Sequence, residues 1–144
     1  MLDMTAKQGD AARGEAIYRR SSLQCVRCHS IGPGGGAIGP NLVSLGGSST
    51  PEYILQSIID PAAKVKEGFQ TLVVLMDDGR VINGLQKARS ERQIQLLSAD
   101  GKEHTLSMDS VESITNGQSL MPPGLVDGLT EQELADLTRF LMAL

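Results

Sequence analysis

Cys25-Val26-Arg27-Cys28-His29 holds both cysteines of the chain and one of its two histidines, and no other feature limits the possible fold so strongly. Thiols three residues apart share one side of a helical turn, and an imidazole follows at the next position. The spacing fits C-x-x-C-H haem attachment, in which both thiols add across the two vinyl groups of one porphyrin and the histidine ligates its iron. Three other uses compete. A structural zinc site would have to recruit His104 as its fourth ligand, yet adjacent Cys28 and His29 are awkward to aim at one tetrahedral ion, and no second ligand pair exists. A thioredoxin-like dithiol sits beside a βαβ pattern, which this sequence lacks. Two plainly structural cysteines are the blandest alternative.

A chain of 144 residues suits one compact domain, expected here to span 1–144. Although 40% of its residues are hydrophobic, two Phe, two Tyr and no Trp bring little aromatic bulk to a core. A haem is a flat apolar body that could fill that core. Formal net charge is −4, and no basic run tracks nucleic acid phosphates, so nucleic acid is not an expected partner. Residues 116–144 carry four acidic groups against one basic, which would favour a basic partner surface if they frame the haem edge. No apolar stretch is long enough to span a bilayer, and Met1-Leu2-Asp3-Met4 lacks the apolar core of a signal peptide. Covalent haem attachment generally follows export. The expectation is therefore an exported, periplasmic protein, with its signal trimmed or the domain cut from a larger exported chain.

Periodicity divides the chain into helical ends and a strand-like middle. Asp10 is a candidate N-cap for a helix running to Arg20, with Ala11, Gly14, Ile17 and Tyr18 on one face. Ahead of it, Met1 and Met4 fall on an expected frayed terminus. Glycines with Pro33 and Pro40 predict an irregular loop over 31–47. Thr50 and Pro51 then open a helix whose stripe is Ile54, Leu55, Ile58 and Ile59, ended by Pro61. From 71 to 115 the period becomes two, and Asp78-Gly79 and Asp100-Gly101 mark hairpin turns. This stretch reads as a small antiparallel sheet inserted as a module at 71–115, outside any haem cage. Thr130 and Glu133 form a capping box for a last helix with Leu134, Leu137, Phe140, Leu141 and Leu144 on its buried stripe.

Gly34 to Gly39 satisfies G-x-G-x-x-G, but a dinucleotide fingerprint needs a strand before it and a helix opening after it, whereas Pro40 follows here. Such glycines suit a backbone passing close to a haem edge. Six methionines compete for the sixth iron position. Met76 and Met108 lie in predicted strands and Met142 in the last helix, where packing is the ordinary role. Met121 stands in the loop Ser119-Leu120-Met121-Pro122-Pro123-Gly124, whose prolines would hold a thioether at a fixed point. Its alternatives are a gap-filling Met121 and ligation by His104 instead.

Taken together, the Gly14/Tyr18 helix, Cys25-Val26-Arg27-Cys28-His29, Ile38-Gly39-Pro40-Asn41-Leu42, Met121-Pro122 and the helix with Leu137, Phe140 and Leu141 resemble a class I cytochrome c. The resemblance covers nearly the whole chain except the strand region. It implies a mainly α cytochrome c fold with an inserted antiparallel sheet, α+β overall, in which N- and C-terminal helices cross over the haem. Gly14 and Tyr18 would then meet Phe140 and Leu141. The same resemblance implies that the Pro40 carbonyl orients His29. More narrowly, Ile59-Asp60-Pro61, the β region and Ser119-Leu120-Met121-Pro122 are similar to a bacterial haem-binding domain often fused to dehydrogenase-like propellers.

These readings converge on a one-electron carrier rather than an enzyme. One covalent haem c would be held by Cys25 and Cys28, with His29 and Met121 on the iron, and a dehydrogenase as the implied redox partner. The competing function is a haem sensor or peroxidase-like site, which requires a vacant sixth position.

Overall fold

The computed structural model describes residues 1–144, which divide into two compact units: 1–64 with 122–144, and 65–121. Helices and antiparallel sheets are both present, giving an α+β chain. No helix is long and apolar enough to cross a membrane.

The first unit is built on helices α1 (Leu2–Gln8), α2 (Ala11–Tyr18), α3 (Cys25–Cys28), α4 (Leu45–Ser48), α5 (Pro51–Ile59) and α6 (Glu131–Met142). Their starts follow side-chain capping. The Asp10 carboxylate accepts from Arg13 N, Thr50 Oγ1 accepts from Tyr53 N, and Thr130 with Glu133 completes a capping box. Residues 2–8 are helical rather than frayed, and buried Thr5 lies on that helix. Packing against α5 and α6 holds it.

Helices α2 and α6 pack against one another. Close approach is possible because residue 14 is glycine: a Cβ there would run into the Asp136 carbonyl and come within 2.7 Å of Phe140 Cβ. One turn later the Tyr18 ring packs on Phe140, with centroids 5.5 Å apart. Ile17, Leu23, Leu42, Ile54, Leu137 and Leu141 complete this core. Ile59 departs from the expected stripe and is exposed, because α5 ends there.

Asp136 is buried on the same face, where its carboxylate accepts from Asp10 N at 2.8 Å, Arg13 Nε at 2.7 Å and Gln132 Nε2 at 2.9 Å. These bonds, with Arg13 foremost, hold its carboxyl down at about 2 against the opposing effect of burial. The group therefore adds stability above the ordinary carboxylate range, and this is lost as pH falls from about 4 through about 2. Asp136→Asn is expected to destabilise by about 2 kcal/mol in urea titration at neutral pH, and to flatten the pH dependence over that window. A smaller loss than the ~3–5 kcal/mol of a fully buried broken pair follows from Arg13, whose side chain is 57% exposed and keeps its water. Arg20 likewise pairs with Glu133 at 2.7 Å. Two of the four acidic groups in 116–144 are thus engaged by the chain's own arginines, which reduces what the charge bias can offer a partner.

The second unit is a five-stranded antiparallel sheet. After the two-residue strands β1 (Ser30–Ile31) and β2 (Gly34–Gly35) of the first unit come β3 (Thr71–Met76), β4 (Val81–Arg89), β5 (Gln93–Leu97), β6 (Glu103–Ser107) and β7 (Val111–Asn116). Their spatial order is β6-β5-β4-β3-β7, a meander whose last strand returns to pair with its first. Gly79 and Gly101 adopt φ of 88° and 83°, as the turns after Asp78 and Asp100 require. Val74, Met76, Ile94, Leu96 and Leu106 form the unit's own apolar core. Met76 is thereby a packing residue. Met108 packs against the same core, and Met142 packs on the helical one.

Candidate haem site

The motif occupies a single helical turn. Gln24, the only non-glycine residue with positive φ (57°), redirects the chain from a 3-10 turn at Ser21–Leu23 into α3. Residues in this left-handed region cost of order 1 kcal/mol and persist where surrounding structure enforces them. The turn closes with His29 N donating to Cys25 O at 2.8 Å. Cys25 and Cys28 are both half-buried free thiols, and burial pushes the Cys25 thiol up.

Residues 31–47, expected to be irregular, wrap this turn with more order than that. Ser30–Ile31 pairs with Gly34–Gly35, and Gly32 (φ 63°) supplies the left-handed residue of the intervening two-residue turn. Gly36 N then donates to Val26 O at 3.0 Å and Gly39 N to Cys28 O at 2.7 Å, satisfying carbonyls that a one-turn helix leaves open. A Cβ on Gly36 would strike the Arg27 carbonyl, and one on Gly39 would lie 2.5 Å from His29 Cε1. The glycines of the G-x-G-x-x-G string thus admit backbone against the motif itself, and no helix opens after Gly39 as a phosphate site would need.

Residue 39 covers one side of the His29 ring, and Pro40 O lies 2.8 Å from His29 Nδ1. A carbonyl can only accept, so Nδ1 carries the proton in this bond and Nε2 is left with its lone pair. Burial lowers the His29 pKa, with the Pro40 bond opposing, which favours the neutral ring that a metal needs.

The donor set suits haem better than a bare ion. No group of three or more His, Cys, Asp or Glu side chains is placed to hold a metal by itself. A macrocycle would have to supply most of the ligands to a metal here, and His29 Nε2 is the nitrogen that the chain could add. His104, the residue needed by a zinc reading, instead places Nε2 3.0 Å from Ser98 Oγ in the sheet unit. Beside the cysteines, Tyr18 is buried and its hydroxyl has no hydrogen-bond partner. Burial pushes that hydroxyl up to about 12, with Cys25 adding to the effect and Arg19 opposing it. An unmet buried hydroxyl costs about 1–3 kcal/mol, which a group docked at the thiols could relieve. Val26 within the motif and Val43 within the 31–47 loop are exposed large apolar side chains, as suits an apolar ligand. Neither the Tyr18 orphan nor the left-handed Gln24 could be found from pattern. Met121 belongs to the sheet unit, where it is half-buried and its N–H donates to Ser119 Oγ at 3.2 Å.

A comparison with curated proteins finds none that matches the chain. Residues 9–72 match the family model described as cytochrome C oxidase, cbb3-type, subunit III. The match runs from just before Asp10 through α2, the cysteine turn, His29, Pro40 and α5, and it supports a cytochrome c domain in this chain.

Proposed function

We propose that the chain is a one-electron carrier, with a single haem c joined to Cys25 and Cys28 and its iron ligated by His29 and Met121. The observation that carries the reading is the His29 geometry: Nδ1 is tied to Pro40 O at 2.8 Å beside two free thiols on one helical turn, which leaves Nε2 to a metal. Bound there, haem would supply a one-electron iron couple. The protein's own part is to fix the imidazole, bury the porphyrin faces and limit water at the iron. Packing of α2 on α6 at Gly14 fits the crossing of terminal helices that the cytochrome c resemblance implies. Electron transfer needs no substrate pocket, and the chain is read as a carrier rather than an enzyme. A dehydrogenase as electron donor, fusion to a propeller and a periplasmic location remain parts of this proposal, resting on the narrower resemblance and on export before haem attachment.

Absorption spectra of the oxidised and reduced holoprotein test it. Low-spin spectra in both states are expected, with a thioether-to-iron charge-transfer band in the oxidised form that disappears on reduction. A high-spin spectrum, with rapid binding of added small ligands, would overturn carriage in favour of a sensor or peroxidase-like site.

A further inference from the structure

Met121 is its loop's candidate ligand, yet the loop's own stiffness does not fix where the thioether sits. Pro122 and Pro123 have no N–H to donate, and Met121 N reaches only Ser119 Oγ, two residues back. The bonds that tie the loop's root to the sheet converge on one residue. Thr71, the first residue of β3, is buried. Its carbonyl accepts from Gly117 N at 2.9 Å, and its hydroxyl donates to Gln118 O. Gly117 is held so closely that a Cβ there would lie 2.5 Å from Thr71 Oγ1 and 3.1 Å from Asn83 Oδ1. Pairing of Leu72 with Asn116 brings β7 alongside β3 up to that point, so the loop departs from the sheet at the threonine.

We propose that Thr71 is a positioning residue for Met121: by gripping Gly117 and Gln118 it sets how firmly the sheet unit presents the thioether. This rests on Met121 as sixth ligand. A ligand loop anchored at its root pays little entropy to close on the iron, whereas a released one exchanges more readily with competing ligands.

The test measures the affinity of added imidazole for the oxidised holoprotein, the thioether-to-iron band and the urea midpoint, in the parent and in variants. Thr71→Val keeps the shape and removes the hydroxyl. It is expected to keep covalent haem while binding imidazole about tenfold more tightly, the equivalent of one hydrogen bond. Thr71→Ser should restore the parental affinity. Gly117→Ala, which pushes the loop off Thr71 by sterics, should act like Thr71→Val and serves if that variant folds poorly. Val74→Ala, in the sheet's core, is the control for lost stability alone, expected to lower the urea midpoint with imidazole affinity unchanged. Parental affinity in both Thr71→Val and Gly117→Ala, or a gain in Val74→Ala equal to theirs, would overturn the positioning role. Met121→Ala separates the two readings: if it too keeps the parental band and affinity, the ligand assignment itself has failed.

Discussion

Replacing Cys25 and Cys28 together with alanine is expected to abolish covalent haem retention completely. Parent protein, matured in a host that performs attachment, should carry one haem through denaturation and acid-solvent extraction, with an intact mass above that of the bare chain. The double variant should release all of it, because thioether bonds do not depend on the fold and nothing else in the chain can replace them. The chain has no further cysteine, and both thiols are free on one helical turn. His29→Ala should separate attachment from ligation. Its thiols remain, but the imidazole that Pro40 orients through Nδ1 is gone, and Nε2 with it, so poor maturation or unstable ligation is expected. Extractable haem from properly matured parent protein would remove the central claim.

Much of the scaffold was legible because helix ends are written in local chemistry. Asp10, Thr50 and the Thr130/Glu133 box each start a helix at the residue that their capping bonds require. Hairpin turns were equally open to reading, since Asp-Gly pairs provide the positive φ that a tight reversal needs. Strand ends were less so. Pairing extends β4 to Arg89 and β7 to Asn116 across polar residues that break the alternation. Helix α1 escaped because its buried anchor is Thr5, and a polar anchor leaves no apolar stripe to detect. Asp136 and Thr71 escaped for the same reason: each is a buried polar group whose partners lie far along the chain. Within the site, the cysteine turn was evident from spacing. The approach of Pro40 to His29 followed only from likeness to a family, because they lie eleven positions apart in the chain and no local pattern brings a given carbonyl to a given ring.

Met121→Ala is expected to remove the thioether-to-iron band and lower the midpoint potential by on the order of 0.1 V, out of the ~0.8 V that axial ligands command. The direction follows from the ligand. A thioether is a weak donor to ferric iron and favours the reduced state, so its loss, with water or hydroxide in its place, favours the oxidised state. Packing roles account for three of the other methionines: Met76 is buried in the sheet core, Met108 packs on that core and Met142 on the helical one. Met76→Leu and Met108→Leu should therefore leave band and potential within a small fraction of the Met121→Ala shift. His104 is engaged with Ser98 at 3.0 Å, and His104→Ala should likewise leave the spectrum unchanged. A bis-histidine spectrum lost in His104→Ala would reassign the sixth position. Parental band and potential in Met121→Ala would make Met121 a loop residue that fills a gap, and the conclusion about Thr71 would fall with it. The ordering of the variants decides the matter: if Met121 is the ligand, Met121→Ala must exceed Thr71→Val, since the first would abolish a bond that loosening the loop would only weaken.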